Sequence, residues 1–60
     1  MYYLKTQDGF YVYRIHGVVF VSFVPENARE HAAPFELDGI DSWIGILSEL
    51  SGRKLISVAI

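Results

Sequence analysis

The stretch Tyr2-Tyr3-Leu4-Lys5-Thr6-Gln7-Asp8-Gly9-Phe10-Tyr11-Val12-Tyr13-Arg14-Ile15-His16-Gly17-Val18-Val19-Phe20-Val21-Ser22-Phe23-Val24 decides the fold. Aromatic and β-branched residues dominate it, and these fit a pleated, half-buried surface. Two turn signals interrupt it. Asp8-Gly9 reads as a two-residue hairpin turn, because both positions accept positive φ. His16-Gly17 repeats that signal more weakly. The spacing predicts strands at about 2–7, 10–15 and 18–24 in an antiparallel meander.

Two-residue turns fix register. Gln7 then faces Phe10, Lys5 faces Val12, and Tyr3 faces Arg14. Beyond the second turn, Ile15 faces Val18, Tyr13 faces Phe20, and Tyr11 faces Ser22. One face collects Phe10, Val12, Val19, Val21 and Phe23, with Tyr3, Lys5 and Arg14 at its margins. The other collects Tyr2, Leu4, Tyr11, Tyr13, Ile15, Val18 and Phe20.

The rest of the chain supplies one helix and one more strand. Ile40, Trp43, Ile44, Ile46, Leu47 and Leu50 span about 160° of a helical wheel, which predicts an amphipathic helix over 41–51. Asp38 or Asp41 is its expected N-cap, and Gly52 its left-handed stop. Arg53 and Lys54 suit the negative end of its dipole. Residues 54–60, Lys-Leu-Ile-Ser-Val-Ala-Ile, read as a fourth strand. The expected class is α+β, in the order β-β-β-α-β, as one domain over 1–60, with the helix packed on one face of the sheet. A simple helical crossover would leave the last strand at an edge, parallel to the first and third.

Between meander and helix lies a connection, 25–40, whose composition changes. With Asp41 it holds five acids and one arginine, so residues 25–41 carry net −4 against +1 on either side. Pro25 opens a short helical turn there and Pro34 ends it. Connections of this length are often functional.

Composition bounds the role. The chain has 60 residues, no cysteine, and a net charge of −2. That excludes a disulfide framework, a thiol nucleophile and a cysteine zinc site. It also argues against a general phosphate-backbone binder. No leader and no apolar run approaching the ~20 residues of a membrane span is visible, so the cytoplasm is the expected location. Apolar residues make up 52% of the chain, which excludes disorder. A chain this short nevertheless buries only ~60% of its unfolded surface, and a partner is a common remedy.

The two sheet faces carry the functional expectation. Both are apolar, and one short helix covers only one of them. The Phe/Val face suits the helix. The face with Tyr2, Leu4, Tyr11, Tyr13 and Phe20 suits a partner, since tyrosine joins contact area to a polar tip. Glu30, Glu36 and Asp38 offer a second, acidic contact to a foreign protein target. The expected role is non-enzymatic: a protein-interaction module forming a homodimer or higher oligomer. Small chains of this kind often act as accessory or inhibitory factors, including ones carried by phages or mobile elements. The runner-up is a single-stranded nucleic-acid binder that stacks bases on Tyr11, Tyr13 and Phe20.

Other chemistry finds little support. His16 reads as a turn residue and His31 as a loop residue, without zinc spacing. Glu36, Asp38 and Asp41 lack the calcium-loop pattern. No serine sits on a nucleophile elbow, and no glycine-rich phosphate loop is present. No catalytic residue, metal ligand or cofactor site is assigned. Trp43 reads as core, at the margin of the apolar arc.

Overall fold

The computed structural model describes residues 1–16 and 20–60, with backbone alone at residues 16 and 20. The expected turn at Gly17, with Val18 and Val19, lies outside the described residues. The elements are β1 (Tyr2–Thr6), β2 (Phe10–His16), β3 (Phe20–Pro25), a 3₁₀ segment (Glu26–His31), α1 (Ile40–Ser51) and β4 (Leu55–Ala59). One four-stranded antiparallel sheet runs in the order β3-β2-β1-β4, and α1 packs against it. The class is α+β, and the β-β-β-α-β order is present.

Register differs from the expectation by one residue at the first turn. Lys5 pairs with Tyr11, not with Val12. Thr6 therefore closes the hairpin opposite Phe10, and Gln7, Asp8 and Gly9 form a three-residue loop. Gly9 donates its N–H to the Thr6 carbonyl at 3.2 Å and holds φ at +91°. A left-handed residue after a tight turn is the usual close of a three-residue hairpin loop, and glycine adopts it without a Cβ clash. Thr6 seals the turn from inside. Its buried hydroxyl donates to the Asp8 carboxylate and accepts the Phe10 N–H at 2.9 Å.

That single residue turns β1 over. Leu4 joins Val12, Leu47 and Leu55 in the core beneath the helix, and Tyr2 packs against the same cluster. Tyr3 and Lys5 move to the far face beside Tyr11. A second shift acts further along. The β2–β3 ladder breaks between Val12 and Arg14, so Tyr13 is the extra residue of a bulge. Ile15 thereby returns to the helix face, opposite Val21, while Arg14 pairs with Ser22. His16, not Tyr13, pairs with Phe20. The Phe/Val face does take the helix: Val12 lies in the core, and Val21 and Phe23 pack against it.

The connection after β3 reverses the expected direction of β4. Pro25 ends β3 opposite Phe10, and the 3₁₀ segment packs on β2 and β3. The chain then passes between the parting ends of β1 and β2. Ala33 donates to the Val12 carbonyl at 2.9 Å, and Tyr2 and Phe35 exchange two backbone bonds at 2.8 Å. This places the 3₁₀ segment on the Tyr3–Tyr11 face and Phe35 in the core on the α1 face. The connection has thus traversed the sheet once. α1 runs back, and β4 lies antiparallel to β1, with Thr6 opposite Leu55 and Tyr2 opposite Ala59. The expected parallel crossover would have required a connection that did not travel.

α1 starts on Gly39 in the left-handed region, φ +84°, with no side-chain cap. Neither Asp38 nor Asp41 caps it; Asp41 sits in the first turn, where an acid favours the dipole. Gly52, φ +68°, ends it as expected. Ile40 and Leu47 are buried and Ile44 is partly so. Trp43, Ile46 and Leu50 leave the opposite flank of the apolar arc exposed. The Trp43 ring approaches Phe35 edge-on at 5.9 Å.

Candidate interaction surface

The five residues expected to form one partner face do not share a face. Leu4 is fully buried under α1, and Tyr2 is half-buried on that side. Tyr11 faces the other way and is only 1% exposed. Tyr13 stands exposed on the bulge beneath the Arg14 guanidinium, 5.2 Å from its ring. The Phe20 side chain lies outside the described part of the chain. Register and bulge account for the dispersal, since each one-residue slip exchanges the faces.

The far face is half covered. Over β2 and β3 lies the 3₁₀ segment, and Tyr11 is closed in beneath it. Tyr3 meets the Tyr11 ring edge-on at 5.8 Å and 81°. Lys5 places its ammonium 5.7 Å from the same ring. The Tyr11 hydroxyl and the Glu26 carboxylate, 3.9 Å away on the same segment, raise the pKa of the Arg29 guanidinium. The cover therefore comes from residues 26–31. Phe35 lies in the core, and Leu37 stays exposed.

The half over β4 is bare. Ile56 is 48% exposed, Ile60 65%, and Val58 is half-buried. A cleft of about 300 Å³ separates the two halves, with Tyr3, Tyr11, Arg29 and Glu30 along one side and Val58 and Ile60 along the other.

β4 is also a sheet edge. Ile60 donates its N–H to the Met1 carbonyl at 3.2 Å. Backbone groups alternate along an antiparallel strand, so Ile56 and Val58 also point theirs at β1. Leu55, Ser57 and Ala59 point theirs away from the sheet. The opposite edge differs: β3 ends in Pro25, which has no N–H, and the 3₁₀ segment packs beside it.

The acidic residues are dispersed. Glu30, Glu36 and Asp38 are all exposed, and Glu30 approaches His31 at 3.6 Å. Among the described residues, no three His, Asp or Glu side chains gather as a metal site. The polar cleft at the other end of the sheet, of similar volume, is lined by Thr6, Gln7, Asp8, Gly52, Arg53 and Lys54. Arg53 reaches Asp8 at 3.4 Å and lies over the Phe10 and Phe23 rings at 5.8 and 5.3 Å. It braces the turn against the helix end. Among the described residues, no helix is long and apolar enough to cross a membrane.

No protein-family model, curated protein or solved structure matches the chain.

Two features of this surface escaped the sequence reading. Ile56 and Val58 were read only as part of a strand, because their exposure depends on β4 being an edge. The wheel sets Ile46 and Leu50 on the apolar arc beside Trp43, which reads as core or, at the arc's edge, as an interface anchor; all three are exposed, because a wheel does not say where the sheet ends.

Proposed function

We propose that the chain is a protein-interaction module that works by binding, not by chemistry, and that it self-associates through the open β4 edge of its sheet. The observation that carries this reading is the character of that edge. Residues 55–60 contain no charged residue and no proline, and Ile56 and Ile60 stand exposed beside unpaired backbone groups. Monomeric proteins usually blunt such an edge with an inward charge, a proline or a cover, because it templates strand addition. β3 ends in a proline; β4 has none. The exposed carboxylates of Glu30, Glu36 and Asp38 offer contacts to a second, basic protein. Base stacking is the weaker reading, because Tyr11 offers no open ring face.

Light scattering behind size exclusion, at two concentrations about tenfold apart, tests the reading. The expected mass is at least twice 6.8 kDa at the higher concentration. A mass of 6.8 kDa at both would overturn it.

A further inference from the structure

The open edge is self-complementary in one register, and this inference rests on the self-association reading above. We propose that β4 of one copy pairs antiparallel with β4 of a second copy, about a two-fold axis through Ser57. The free backbone groups belong to Leu55, Ser57 and Ala59, so a partner strand must bring groups of the same spacing. A second β4 does so. With Ser57 opposite Ser57 of the second copy, Leu55 faces Ala59 of that copy and Ala59 faces its Leu55. Each facing pair exchanges two bonds, giving about six in all. A shift by two residues either way leaves one of the three without a partner inside the strand.

Side chains agree with that register. On the bare face, Ile56 lies opposite Val58 of the second copy, and Val58 opposite its Ile56. Apolar β-branched residues directly across an antiparallel pair stabilise it. The row then continues inward on both sides, because Ile56 pairs with Lys5 and Val58 with Tyr3 within each chain. The one charge next to the strand, Lys54, falls beside Ile60 of the second copy. The two Lys54 ammonium groups stand at opposite ends of the joint, so no like charges meet. Two four-stranded sheets become one of eight, and the symmetric contact closes on itself.

The chain has no cysteine, so a single introduced thiol reports its own neighbour. Residues facing each other across a hydrogen-bonded pair have Cα atoms about 5.5 Å apart, within disulfide reach. Ser57→Cys is a small change at an exposed position. Under mild oxidation it is expected to form a covalent dimer at least about tenfold faster than Glu49→Cys on the exposed side of α1, because a preformed pair replaces random collision. Ile56→Glu, which sets a carboxylate opposite Lys5 of its own chain and opposite apolar Val58 of the second copy, is expected to abolish the dimer with an unchanged circular dichroism spectrum. Equal cross-linking of the two cysteine variants would overturn the register. If wild-type chain still scatters as a dimer in that case, self-association stands and only the β4 pairing falls. If it scatters as a monomer, both fall.

Discussion

The two halves of the sheet's far face have similar apolar side chains and opposite fates. Over β2 and β3, Tyr11 lies closed beneath the 3₁₀ segment, with Tyr3, Lys5 and Arg29 around it. Over β4, Ile56 faces outward exposed and Val58 half-buried, without the cover that the 3₁₀ segment gives Tyr11. Apolar composition alone does not say which half is core. The difference arises from the connection after β3, which lies on one half and then leaves through the gap between β1 and β2. Cover is a property of where the chain travels. The residues it passes over become core, and those it misses stay exposed.

The largest expected effect lies in the covered half. Tyr11→Ala should cost about 3–5 kcal/mol in urea unfolding, in the range for deleting a buried aromatic ring. Ile56→Ala, in the bare half, should stay within about 0.5 kcal/mol for the monomer. Equal costs would erase the distinction between the halves. The next effect concerns the turn that puts Tyr11 on its side. Gly9→Val forces a β-branched residue to positive φ, and should cost about 1–2 kcal/mol. A neutral result would mean that the loop relaxes and the register is held elsewhere.

The bare half is sharpened by Ile56→Glu, whose carboxylate lies opposite Lys5 within the chain. Its melting temperature at low concentration should match wild type, while the concentration dependence of melting disappears. A large loss of monomer stability would mean that Ile56 serves the fold.

The smallest effect is electrostatic and serves as a control at the far end of the sheet. The Thr6 hydroxyl, then the Asp8 backbone N–H and last the Arg53 guanidinium, hold the Asp8 carboxyl below its ordinary value. A depressed carboxyl favours the folded state while it is charged. That contribution is present above the unfolded value of about 3.9 and is lost as pH falls through the lower folded value. Asp8→Asn should therefore melt slightly below wild type near neutral pH and converge with it in acid, once the Asp8 carboxyl is protonated in the folded chain. A constant gap across that range would assign the effect to shape and not to charge.

Much of the architecture was legible in local pattern. The Tyr, Phe and Val runs placed three strands, the spacing from Ile40 to Leu50 placed the helix, and Gly52 marked its end. Each of those signals is carried by neighbours in sequence. The faces were harder, because Asp8-Gly9 serves a two-residue and a three-residue loop equally well. Nothing local distinguishes Tyr13 as a bulge. The passage of Ala33 and Phe35 between β1 and β2 is a tertiary pairing without a local signature, yet it sets the direction of β4. The candidate surface depends on all three. For that reason the expectation of a partner rests on two apolar faces and one helix, while the residues expected to meet it, Leu4 and Tyr11 among them, lie inside.

Amide hydrogen exchange along β4 tests the central claim most directly. The amides of Ile56 and Val58 point at β1 and should be protected at every concentration. Those of Leu55, Ser57 and Ala59 should exchange rapidly in dilute chain and slow toward their neighbours' rates as concentration rises. Fast exchange of those three at all concentrations, in a chain that scatters as a dimer, would contradict the claim that the open edge is where the copies meet.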